Sequence, residues 1–158
     1  MFDEIDGLPL HPLVVHAAVV LVPLAMLLGV LFAVPRMRAW ARMPLLLVTL
    51  AAAASTYVAK LSGENFKEVL QLGGPAGALI EEHEARANLL LILVLGFAVV
   101  AAAAFVVTRT STANSPVVLA VAAVLVMGAV AVGVQVYRVG DIGSRAVWNP
   151  TGDTDFSR

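Results

Sequence analysis

The chain is 158 residues long, 60% hydrophobic and 13% charged, with a formal net charge of -1. A soluble domain carries about 45–50% apolar and about 25% charged residues, so these figures exclude disorder, a nucleic-acid-binding arm and an ordinary soluble enzyme, and they point to a membrane protein. There is no cysteine, which excludes disulfides, Cys-ligated iron–sulfur clusters and covalent c-type haem and leaves cofactors held by histidine.

The N-terminus, MFDEIDGLPLHP, is acidic and has no basic n-region. It does not read as a secretory signal peptide. Four uncharged stretches follow. They cover residues 12–34, 44–59 (to 61 if Lys60 snorkels), 87–108 and 116–137. A helix needs about 20 apolar residues to cross the hydrocarbon core. Three stretches reach that length, and the second does so with its flanks. Pro12, Pro44 and Pro116 stand near span starts, where a missing N–H costs little. Pro23 lies mid-span and removes a bond to the carbonyl of Val19, which predicts a kink. Ala51–Ala54, Ala101–Ala104, Gly29, Gly96, Gly128 and Gly133 are small residues inside spans, where they let helices approach closely.

The connections are unequal. Pro35–Met43 and Arg109–Ser115 read as short turns. Residues 60–86 form a long charged connection, helical over 64–72, broken by Gly73, Gly74, Pro75 and Gly77, and helical again from about Ala78 into the third span. Gly140, Gly143, Pro150 and Gly152 suggest an irregular polar tail over 139–158. The expected fold is all-α: a single domain, 1–158, forming an up-down bundle of four transmembrane helices with a partly helical connection between helices 2 and 3.

Four spans put both termini on the side of the 60–86 connection. The two short turns carry Arg36, Arg38, Arg42 and Arg109 and no acid; all 11 acids lie on the other side. The positive-inside rule then places the arginine turns in the cytoplasm and both termini outside the cell (inner) membrane. His11, His16 and His83 fall on that extracytoplasmic face with Glu64, Glu68, Glu81, Glu82, Glu84 and Asp141.

His16 is the titratable side chain within the spans apart from the boundary tyrosines, and an intramembrane ionisable residue is a functional candidate that usually faces the bundle interior. One alternative is structural, with His16 bonding Gln135, Thr56 or a backbone carbonyl. Three others are chemical. His16 and His83 could hold a haem b. His11, His16 and His83 with Glu84 or Asp141 could hold a divalent metal such as zinc. His16, Glu84 and Asp141 could handle protons or a quinone. The run Glu81, Glu82, Glu84 also suits the start of a helix, where acids complement the macrodipole. No nucleophile elbow, phosphate loop, dinucleotide-binding glycine pattern or zincin motif occurs, so no motif supports enzyme chemistry.

GLPLHPLVVH at 7–16, LSGE at 61–64, EEHE at 81–84 and VYRVGDIGSRAVW at 136–148 resemble, in this order, a bacterial membrane-protein family catalogued as domain of unknown function twenty-two thirty-one. The resemblance implies a four-span bundle with His11, His16 and His83 grouped near one membrane face. Many members carry a further His near the end of span four, where this chain reads Arg138-Val139-Gly140-Asp141. The function expected is a non-enzymatic accessory or redox-associated subunit of a membrane complex. The alternative is a haem b- or metal-binding electron-transfer module. The expected partners are the lipid bilayer and a larger membrane complex or a second copy of the chain, with no nucleic acid.

Overall fold

The computed structural model describes residues 4–112 and 115–155. Four helices dominate it: α1 (Leu10–Ala33), α2 (Arg38–Leu70), α3 (Gly74–Thr110) and α4 (Pro116–Trp148). All four are long and apolar enough to cross a membrane. A short hairpin, β1 (Glu4–Ile5) paired antiparallel with β2 (Leu8–Pro9), precedes them. Its turn residues Asp6 and Gly7 both have positive φ, 51° and 77°, the backbone of a two-residue hairpin turn that Asp-Gly favours. That dipeptide was the available sequence signal for the hairpin. The strand runs directly into α1, so His11 lies in the first helical turn.

The helices pack in a ring. α1 lies against α2 and α4, and α3 against the same two, which leaves α1 and α3 on one diagonal and α2 and α4 on the other. The core is built largely from small side chains. Ala25, Ala52, Ala98, Ala101, Ala104 and Ala129 are buried with Phe32, Leu45, Phe97 and Leu125. Lipid tails are as apolar as leucine, so helix association here depends on close packing. Hydroxyls inside the spans bond carbonyls of their own helices: Thr49 to Leu45, Thr56 to Ala52 and Thr108 to Ala104. That satisfies groups for which the bilayer offers no water.

Three sequence expectations change. The tail is helical through Trp148, so the irregular segment begins at Asn149 and not at 139. Glycine inside a helix costs only about 1 kcal/mol, and Gly143 is required there by a neighbour described below. The connection after span two is an unbroken extension of α2 to Leu70. α3 begins at Gly74, not Ala78, because Gly73 takes extended backbone and Pro75 fits the first turn. The turn after α1 is also shorter, since α2 starts at Arg38. Pro23 lies within α1, which continues through it.

At 33 residues, α2 and α4 are each about 50 Å long, against about 30 Å of hydrocarbon. The polar ends of α2 (60–70), α3 (74–86) and α4 (138–148) therefore project past the apolar stretches at one end of the bundle, which also holds the start of α1. The other end holds the short connections and their arginines.

Candidate functional site

His11 sits at the projecting end. Its Nδ1 lies 2.8 Å from the carbonyl oxygen of Ala59 on α2. A carbonyl only accepts, so Nδ1 carries the proton and donates. The ring packs closely against α2: a Cβ on Gly63 would be 2.9 Å from Cε1 of His11. Phe66 stacks near it, with centroids 6.1 Å apart. Ser62 Oγ, which donates to the carbonyl of Val58, completes the wall.

His83 repeats this arrangement on α3 and α4. Its Nδ1 donates to the carbonyl oxygen of Val139 at 3.1 Å. A Cβ on Gly143 would meet Cε1 and Nδ1 of His83 at 3.0 Å. In both cases Nδ1–H is committed to backbone, so Nε2 keeps its lone pair, and neither Nε2 has a hydrogen-bond partner among the described residues.

His11 and His83 lie just ahead of the uncharged spans. Burial pushes both imidazoles below the ordinary value of 6.5, opposed by the carbonyl bonds; at His83 the positive charge of a protonated His11 adds to the lowering. The folded protein therefore binds fewer protons than the unfolded chain below that value. Stability is complete above pH 6.5 and is lost as pH falls through the lowered folded values. Thermal unfolding in detergent at pH 7.5 and pH 5.0 should show the lower melting temperature at pH 5.0. The difference should shrink in His11→Gln and His83→Gln, and equal melting temperatures for the wild type would contradict the linkage.

His16 behaves differently. It is exposed, and its Nδ1 bonds the carbonyl of Pro12 in its own helix. Of the structural alternatives, the backbone-carbonyl one is what occurs, without joining helices. Five residues advance a helix by about 140° around its axis, so His11 and His16 cannot face one neighbour together. The expected interior position of His16 is corrected on that ground, and the histidine that shares an environment with His83 is His11.

The carboxylates are also engaged elsewhere. Glu84 takes Lys67 at 2.8 Å, tying α3 to α2 and holding the lysine above its ordinary value. Asp141 pairs with Arg145 at 3.1 Å. Lys60 pairs with Glu64, and Arg86 with Glu82. Among the described residues no three His, Cys, Asp or Glu side chains come together as a group able to hold a metal ion. The set His11, His16, His83, Glu84 and Asp141 is therefore at one end of the bundle but not assembled. Between the projecting ends of α2 and α3 lies an open cleft of about 530 Å³, with Glu64, Glu68, Glu81 and Glu84 in its walls.

Gln135, which the sequence offered as a bonding partner of His16, joins two other helices instead. Gln135, only 2% exposed, donates from Nε2 to the carbonyl of Arg86 at 2.8 Å, linking α4 to α3. Asn88 keeps a buried Oδ1 with no hydrogen-bond partner among the described residues. Exposed Tyr57, Tyr137 and Trp148 mark this end and Trp40 the other, the positions that aromatic side chains take at membrane–water boundaries.

The four apolar helices and the polar projecting end define a multi-pass membrane protein. The family described as "Predicted membrane protein (DUF2231)" matches residues 7–154, and the chain belongs to it. No curated protein and no solved structure matches the chain.

Proposed function

We propose that the chain is a non-enzymatic accessory subunit of a membrane complex, set in the cell (inner) membrane with both termini and the histidine end outside. The observation that carries this is the division of charge. Arg36, Arg38, Arg42 and Arg109 stand at the short connections with no acid beside them, while the acids stand at the projecting end. The positive-inside rule turns that division into an orientation, and it leaves the helical projection free to meet a partner in the extracytoplasmic space. Reporter fusions test the orientation. A fluorescent protein inserted after Arg36 should fluoresce, and alkaline phosphatase fused after Asp155 should be active. The reverse pattern overturns the orientation. Extraction in mild detergent tests the partner: the chain should migrate with a larger assembly or a second copy, and a lone chain counts against the subunit reading.

One observation favours a second reading, a haem b- or metal-binding electron-transfer module. Two histidines present Nε2 lone pairs with Nδ1–H tied to backbone, the arrangement by which proteins fix a ligating imidazole. A visible spectrum and elemental analysis of protein purified from membranes should then show a Soret band or bound metal. A colourless, metal-free preparation counts against it.

A further inference from the structure

Positive charge at the short-connection end has no counterpart within the chain. The sequence holds no acid between Asp6 and Glu64 and none between Glu84 and Asp141, so the segments that build this end contain no carboxylate. α2 and α4 both start here, and neither has an acid in its first turn. The four arginines of this end are not alike. Arg38 is buried, and its guanidinium is taken up by the last carbonyls of α1. Arg36 and Arg109 are exposed and Arg42 is half-buried. Among the described residues no ion pair holds any of these three.

Their depth is also defined. Arg109 stands in the last turn of α3, and its guanidinium lies over the ring of Phe105, 4.4 Å from the centroid. Phe105 belongs to the third apolar stretch, so this charge is held at the edge of the hydrocarbon. Trp40, two residues before Arg42 and 61% exposed, marks the same boundary. A guanidinium at that level is partly desolvated, and leaving it without a counter-charge is costly. The anionic groups that a bilayer offers there are phospholipid phosphates. Arginine suits them, because its planar fork pairs with phosphate oxygens two at a time.

We propose that Arg36, Arg42 and Arg109 form a binding surface for the phosphates of anionic phospholipids at the short-connection end of the bundle. A zwitterionic headgroup carries its own cation beside the phosphate and leaves the three charges unbalanced. An anionic headgroup such as phosphatidylglycerol removes one charge per phosphate. Basic groups gathered beside transmembrane helices select anionic lipid in this way. The surface lies at the opposite end from the histidines. It depends on neither the subunit nor the cofactor reading, and not on the orientation either, because phospholipid phosphates line both faces of a bilayer.

The chain has two tryptophans, and of these Trp40 marks this end, so Trp148→Phe makes Trp40 the reporter. The full-length protein is reconstituted with phosphatidylglycerol or phosphatidylcholine brominated on the acyl chains, where bromine quenches a neighbouring tryptophan. The anionic lipid should quench Trp40 more strongly. Arg36→Gln, Arg42→Gln and Arg109→Gln should each lower that preference by up to about fivefold, and Arg36→Lys, which keeps the charge, should retain most of it. Should Arg42→Gln fail to fold, the exposed pair Arg36→Gln/Arg109→Gln carries the test and should bring the preference close to unity. Inorganic phosphate at matched ionic strength should leave the preference unchanged. Equal quenching by the two lipids, or a preference that survives loss of the arginines, overturns the proposal. Reversal by inorganic phosphate overturns the lipid as the source of the phosphate.

Discussion

Phe97→Ala is expected to be among the most destabilising single changes in the bundle, at about 2–4 kcal/mol. Phe97 is 5% exposed in the centre of α3. Its ring fills a notch between two other helices. A Cβ on Gly29 of α1 would lie 2.7 Å from Cζ, and one on Gly128 of α4 would lie 3.0 Å from Cδ2. The ring thus joins three helices through contacts that only glycine permits. In a bilayer the loss is one of packing, because surrounding lipid is as apolar as the core. Gly29→Ala should also destabilise, by about 1–3 kcal/mol, since the ring cannot retreat from a new methyl group without pressing on Gly128. Combining Gly29→Ala with Phe97→Leu should recover part of the loss, as expected for contacting residues. Unfolding in graded denaturing detergent measures all three. A wild-type midpoint for Phe97→Ala would show that the notch does not hold the bundle.

Arg38→Met should cost about 2–4 kcal/mol, although it removes a residue that the sequence presents as a turn charge. Arg38 is 3% exposed. Its Nε donates to the carbonyl of Phe32 and its Nη2 to that of Ala33, both at 3.2 Å, and the guanidinium stands 5.6 Å from the Phe32 ring centroid. Those carbonyls belong to the last turn of α1, which has no intrahelical donors of its own. Positive charge there also complements the helix dipole. Lysine offers one compact ammonium in place of a planar fork, so Arg38→Lys should fall between wild type and Arg38→Met. Arg36 is exposed, and Arg36→Ala should change stability by less than about 0.5 kcal/mol. The same detergent unfolding reads the series, and equal effects at 36 and 38 would contradict the assignment of a cap to Arg38.

The contrast between Arg36 and Arg38 shows where sequence information ends at this turn. Both residues read as positive charge on one side of the membrane, and that much is settled by composition along the chain. Which of them turns back onto α1 depends on where α2 starts and on the ring of Phe32. Glycines pose the same problem. Gly140 and Gly143 look alike as helix breakers, yet Gly143 receives His83 while Gly140 has nothing near it. Gly29, Gly128 and Gly133 pack against Phe97 or Met26, as small residues in spans are expected to, whereas Gly96 meets open space. A missing Cβ is visible in sequence; the neighbour that needs its absence is not.

The sequence by itself determined the membrane class, the four spans, the family and the division of charged groups between two ends, because hydropathy and charge act residue by residue against a uniform solvent. Only the tertiary structure decided which histidines stand in equivalent places. His11 and His83 are 72 positions apart in sequence, and their glycines 80 apart, so no single period exposes the repeat. It emerges when helices of unequal connection length are set side by side, and each imidazole finds its carbonyl on a neighbouring helix.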